Sequence, residues 1–155
     1  MDYEVDLVQT QAILTAVVRD TMPLEQISTQ IIPLFDQVYA FLPEAGIEHP
    51  GLNVILYRND RVDLEAGVQV KRAFQGSDTV ECSSLPAGRA AHAVHYGPYS
   101  QLGEAHRAVR DWCREHNLEI DGVNWEVYGH WHDVPPMLRT DVYYLLQDGD
   151  LAQPS

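Results

Sequence analysis

Glu126 and Tyr128 stand two residues apart in the segment Gly122-Val-Asn-Trp-Glu-Val-Tyr128, whose Val, Trp and Tyr content predicts a β-strand. Residues two apart in a strand share a face, so Asn124, Glu126 and Tyr128 point one way and Trp125, Val127 and Gly129 the other. A carboxylate beside a phenol on an apolar face supports two kinds of chemistry. It can hold an organic cation, which gains from aromatic faces, from exclusion of water and from a poorly solvated counter-charge. It can also shuttle a proton, with Tyr128 or Tyr96 orienting the substrate or a water. Both uses need the same residue in the same kind of pocket, so the sequence leaves both open.

An internal repeat indicates that this face is apolar. Gly51-Leu-Asn-Val-Ile-Leu-Tyr57 aligns with Gly122 to Tyr128 at an offset of 71 positions, with Gly, Asn and Tyr identical. The same offset carries Ile47 to Leu118, Val38 to Val109 and Ile31 to Leu102, so a helix and the strand after it are duplicated together. At the position of Glu126 the first copy has Ile55. An acid has replaced an aliphatic side chain, and a buried carboxylate left uncompensated is costly and is rarely kept for stability. The competing expectation puts Glu126 on the solvated side of its hairpin, or pairs it with Arg139 or Arg89.

These residues must be positioned by a small set of elements. Asp6 to Arg19 predicts one strand, and Leu24, Ile27, Ile31, Leu34, Phe35, Val38 and Leu42 trace an amphipathic helix closed by Pro43 and Gly46. Pro33 inside it predicts a kink or a break. Leu52 to Tyr57 and Leu64 to Phe74 form a hairpin, and Val80 to Leu85 and Arg89 to Tyr96 are further strands. A second helix carries Leu102, Ala105, Val109, Trp112 and Cys113, followed by a hairpin of Val123 to Trp131 and Thr140 to Leu146. The expected fold is α+β: two β-α-β-β half-domains, about residues 1–78 and 79–147, related by a pseudo-twofold. They would share one antiparallel sheet with both helices on one face and a central groove, leaving residues 148–155 as a frayed tail.

The chain has 155 residues with 23 acidic and 10 basic side chains, a net charge of -13, so a phosphate backbone would meet average repulsion. Direct nucleic-acid binding is not expected, and no helix-turn-helix precedes the first strand. No stretch approaches the roughly 20 apolar residues of a membrane span, and the N-terminus lacks a signal peptide's pattern, so the expected location is the cytoplasm. Cys82 and Cys113 have no paired spacing and read as unlinked thiols. His92, His95, His130 and His132 lack diagnostic ligand spacing, so neither a metal nor another cofactor is expected. The chain also lacks a nucleophile elbow, a phosphate loop and a dinucleotide fingerprint.

The motifs Arg89-Ala-Ala-His-Ala-Val-His-Tyr-Gly-Pro-Tyr99, Gly122 to Tyr128 and Leu138-Arg-Thr-Asp-Val-Tyr143 resemble the GyrI-like small-molecule-binding domain, also the effector-binding domain of multidrug-responsive regulators. The resemblance is dense over residues 85–146. It departs from the family at Pro135-Pro136-Met137, where an acid is usual, and at Tyr143-Tyr-Leu-Leu146, where a proline is usual. What it implies is an aromatic-walled groove with an acidic floor that takes lipophilic, cationic compounds. Carried over, Glu126 and Tyr128 fall on the Glu-x-Tyr motif, and Tyr96, Tyr57, Trp112 and Trp131 would supply the walls. Some similar stand-alone members hydrolyse strained cyclopropane compounds with the acid and a tyrosine, which would make Glu126 and Tyr128 catalytic. A third expectation is a protein partner engaged through the acidic surface, although no run of consecutive carboxylates is present.

Overall fold

The computed structural model describes residues 3–58, 63–130 and 133–147. Eight strands and two helices follow in the order β1 (Asp6–Thr10), β2 (Ile13–Thr21), α1 (Ile27–Phe41), β3 (Asn53–Arg58), β4 (Asp63–Gln69), β5 (Glu81–Leu85), β6 (Gly88–Tyr96), α2 (Leu102–Glu115), β7 (Ile120–Tyr128) and β8 (Arg139–Leu146). Helix α1 runs through Pro33 without a break, with the proline exposed while Ile27, Leu34 and Val38 stay buried. A short 3-10 turn then ends at Gly46, whose φ of 74° is a conformation that suits glycine. The one strand expected over Asp6 to Arg19 is two, split at Gln11 and Ala12.

That split is where the chain changes partners. The strands form one antiparallel sheet in the order β1-β6-β8-β7-β3-β4-β2-β5. Applying the duplication, β1 corresponds to β5, β2 to β6, β3 to β7 and β4 to β8, and the order reads the same from either end. Each repeat is therefore β-β-α-β-β rather than β-α-β-β. The leading strand of each is exchanged: β1 pairs with β6 of the second copy and β5 with β2 of the first. The links Gln11-Ala12 and Pro86-Ala87 join opposite ends of the sheet, and three Cα steps of 3.8 Å span at most about 11 Å. The sheet must curl until its ends approach. Thr10 ties them by donating to the carbonyl oxygens of Pro86 and Gly88 at 2.9 and 3.1 Å.

Two apolar clusters lie on the helix side. One packs α1 on β2 and β4 around Val38, Ala16, Ala66 and Val68, and the other packs α2 on β6 and β8 around Val109, Ala105, Ala91 and Val142. A third, with Val54, Leu56, Leu85, Ala90 and Trp125, fills the inside of the curl. On that inner face Asp141 bonds His92 Nε2 at 2.8 Å and accepts from Arg139 Nε at 2.7 Å. Burial works to raise the Asp141 carboxyl, but the hydrogen bonds from His92 and Arg139 outweigh it and bring it down to about 2.

Gly67 crosses β2 so closely that a Cβ would stand 1.8 Å from the carbonyl oxygen of Ala16. Gly67→Ala should cost at least about 2 kcal/mol, read from the urea midpoint, and a cost near zero would contradict this crossing. Because the Asp141 carboxyl is depressed, its contribution is present above the unfolded value and is lost as pH falls through about 2. Asp141→Asn should thus be less stable than wild type at neutral pH, with the gap closing between about pH 4 and pH 2. A gap independent of pH would refute the pairing.

Candidate functional site

Strands β3 and β7 meet in antiparallel register at the middle of the sheet, with Ile55 opposite Glu126, Tyr57 opposite Asn124 and Asn53 opposite Tyr128. The duplication converts each of these pairs into another of the same ladder. Only Ile55 and Glu126 map onto themselves. The acid therefore sits on the pseudo-twofold axis, across from its own counterpart, on the face that carries both helices.

Glu126 is 1 % exposed. Its oxygens are divided between two sets of partners. Tyr57 donates its hydroxyl to Oε1 at 3.0 Å, and Tyr128 donates to the same oxygen. Oε2 bonds Nε2 of His106, itself 1 % exposed, at 2.5 Å. Behind the imidazole, Nδ1 meets the Tyr144 hydroxyl at 2.6 Å, and Arg110 donates to that hydroxyl oxygen at 3.0 Å. These bonds all form when Tyr144 donates to Nδ1 and the imidazole carries its proton on Nε2, aimed at Glu126. Burial first, and then the charge of Glu126, push the Tyr128 phenol well above its ordinary range, so it remains a donor. Truncating one partner of such a buried pair costs about 3–5 kcal/mol.

Helix α1 covers β2 and β4 and α2 covers β6 and β8, so the β3–β7 seam between them is left open on this face. The opening is a cavity of about 550 Å³. Its α1 wall is Ile27, Ile31, Ile32 and Phe35; its opposite wall is Tyr99, Leu102 and Gly103; its floor includes Ile55, Tyr57, Glu126 and Tyr128. Tyr99 meets Tyr128 edge-on, with ring centroids 5.6 Å apart. A side chain at Gly103 would enter empty space.

Of the residues singled out in the sequence, Glu126, Tyr128 and Tyr57 come together here. Tyr96 does not line the cavity: it is 53 % exposed at the end of β6, opposite Arg139. Trp112 lies in the α2 cluster and stacks on His116 at 4.2 Å, also away from the lining. Trp131 and His132 lie outside the described residues. Glu126 is neither solvated nor held by Arg139, which clamps Asp141. His95 bonds Tyr3 and the carbonyl of Pro98, and no group of three metal-ligating side chains occurs among the described residues. His106 was not anticipated. Its signal is present in the sequence: it lies four residues after Leu102 and three before Val109, inside the apolar stripe, and the offset of 71 places it on Phe35.

A second cavity of about 600 Å³ opens on the inner face of the sheet beside Trp125, Tyr143, His92, Arg139 and Asp141. Its charged groups are bound to one another, and Trp125 is stacked on Tyr143 at 5.2 Å.

The family profile described as GyrI-like small molecule binding domain matches residues 3–147. Among solved structures, the chain is similar to the EcmrR C-terminal domain, with a TM-score of 0.80 at 17% identity over 95% of this chain and 99% of that one. It is also similar to a hydrolase from Listeria innocua, with a TM-score of 0.61 at 10% identity over 93% and 92% of the two chains. SAV2435 bound to tetraphenylphosphonium superposes with a TM-score of 0.58 at 10% identity over 95% and 94%. At these identities the likeness is one of fold. No curated protein sequence matches the chain.

The repeat supplies a test of the buried pair. Glu126→Ile strands His106, Tyr57 and Tyr128, and His106→Phe strands Glu126 and Tyr144, so each should cost about 3–5 kcal/mol. The double variant recreates the Ile55 and Phe35 combination of the first copy and should cost less than the sum by more than about 1 kcal/mol, read from denaturant midpoints. Additive costs would show that the two side chains are not coupled.

Proposed function

The chain belongs to the GyrI-like small-molecule-binding family, and on that footing we propose that it captures lipophilic organic cations in the cavity above the β3–β7 seam, with Glu126 as the counter-charge. The observation that carries this reading is a fully buried carboxylate at the floor of a mainly apolar and aromatic cavity, whose lining also includes Asn53. A volume of about 550 Å³ falls within the usual range for drug-sized ligands. Desolvation strengthens the attraction between Glu126 and any cation admitted, and the rings of Tyr57, Tyr99 and Tyr128 add cation–π contacts worth about 0.5–2 kcal/mol each.

The hydrogen bonds sharpen the ligand class. Tyr57 and Tyr128 occupy Oε1 and His106 occupies Oε2, so an ammonium seeking hydrogen bonds must displace one of them. A delocalised cation without N–H groups needs no such bond. Quaternary phosphonium and related onium compounds therefore suit the cavity better than primary amines. The structure of SAV2435, which shares the fold, has tetraphenylphosphonium bound.

Hydrolysis of a strained cyclopropane electrophile is the second reading, supported by the His106–Glu126 contact of 2.5 Å, a geometry in which a proton can be accepted and returned. Product formation that disappears in Glu126→Gln would support it, and unchanged substrate with the wild type would remove it.

Calorimetric titration with tetraphenylphosphonium tests the binding reading. Glu126→Gln should bind at least about tenfold more weakly, equivalent to about 1.4 kcal/mol. Gly103→Leu, which narrows the cavity and leaves the acid in place, should also weaken binding. Equal affinities in wild type and Glu126→Gln would remove Glu126 from the site.

A further inference from the structure

We infer that His106 sets the net charge of this cavity, and that uptake of a lipophilic cation expels one proton from its imidazole. The inference deepens the cation-binding reading above and rests on it. Packing does not require a histidine at position 106. His106 occupies a helical position where the first copy has Phe35, so an aromatic hydrocarbon would meet the packing of α2 and forfeit only the hydrogen bonds. The position instead carries the one common side chain whose charge ordinarily changes between about pH 5 and pH 8.

With the imidazole neutral, the His106–Glu126 pair carries one negative charge; with the imidazole protonated, it carries none. The two states differ by a full unit of charge at the floor of an apolar cavity, where little water screens it. A cation without hydrogen-bonding groups reads little else.

Charged and titratable groups face His106 from each strand packed on it. From β7, Glu126 favours the imidazolium, and Tyr128 shares that carboxylate. From β3, Tyr57 meets the imidazole edge-on with ring centroids 6.5 Å apart. From β8, Tyr144 contacts Nδ1, and on α2 itself the guanidinium of Arg110, bonded to Tyr144, opposes a second positive charge. The cavity wall from α1 is apolar. Tyr144 makes both states tenable, since its hydroxyl can donate to a neutral Nδ1 or accept from a protonated one. A cation admitted beside Glu126 adds to the repulsion from Arg110 and favours the neutral form. The exchange balances: protonated His106 and a free cation become neutral His106, a bound cation and one proton released to solvent. Acid conditions therefore empty the cavity, and weakly alkaline ones load it.

Tetraphenylphosphonium has no titrating group, so its affinity reports on the protein alone. Between about pH 5 and pH 8 its affinity should rise by up to tenfold per pH unit along an acid limb and then level off. Calorimetry in two buffers of different ionisation heat should count up to one proton released per cation on that limb. His106→Gln keeps a donor toward Glu126 and cannot take the charge, so its profile should be flat with no proton released. If that variant does not fold, the imidazole 15N shifts of wild type on the acid limb should move from the protonated toward the neutral pattern when the cation is added. A flat wild-type profile, unmoved imidazole shifts, or a slope that survives in His106→Gln overturns the inference while leaving cation binding in place. Failure of the wild type to bind at any pH would instead sink the cation reading itself.

Discussion

A carboxylate withdrawn from water on the symmetry axis of the sheet is the constraint around which this fold is arranged. Glu126 has no solvent to satisfy it, so the protein must supply every hydrogen bond it receives. The duplicated part of the structure provides two of them at once: Tyr57 and Tyr128 are equivalent positions of the two copies, and the register brings both hydroxyls to one oxygen. The part where the copies differ provides the third. His106 replaces Phe35 as Glu126 replaces Ile55, so an apolar pair has become an acid–base pair at the seam.

The cavity above the acid follows from topology. Each helix rests on strands of its own copy, α1 on β2 and β4 and α2 on β6 and β8, and the inner strands β3 and β7 are left between them. Most of the walls and floor come from α1, α2, β3 and β7, whose backbones are paired within those elements. The exchange of β1 and β5 between copies locks the halves together at both ends of the sheet, and the third cluster fills the curl beneath. The described residues include no helix long and apolar enough to cross a membrane.

Much of this was legible in the chain. A constant offset between two Gly-x-Asn segments gave the repeat, the facing of β7 and the anomaly at Glu126, because strand alternation and duplication are both local in sequence. The strand exchange was not legible. Gln11 and Ala12 interrupt a β-rich run without any turn residue, and only long-range pairing shows that the chain changes ends there. His106 escaped because a lone histidine in an apolar stripe has the pattern of a core residue until its strand neighbours are known. The reverse holds for Tyr96 and Trp112, aromatic residues near the groove motifs whose side chains the fold directs to Arg139 and His116 rather than to the cavity. Pro33 lies exposed within an unbroken helix, an outcome that periodicity and the lost hydrogen bond do not by themselves decide.

A crystal structure of the protein soaked with tetraphenylphosphonium would test the central claim most directly. The account predicts the phosphorus centre between α1 and Tyr99, within about 6 Å of an aromatic ring of the cavity and facing Glu126 with no intervening cation. Density on the inner face of the sheet beside Trp125, or an occupied cavity whose ligand turns away from Glu126, would contradict it.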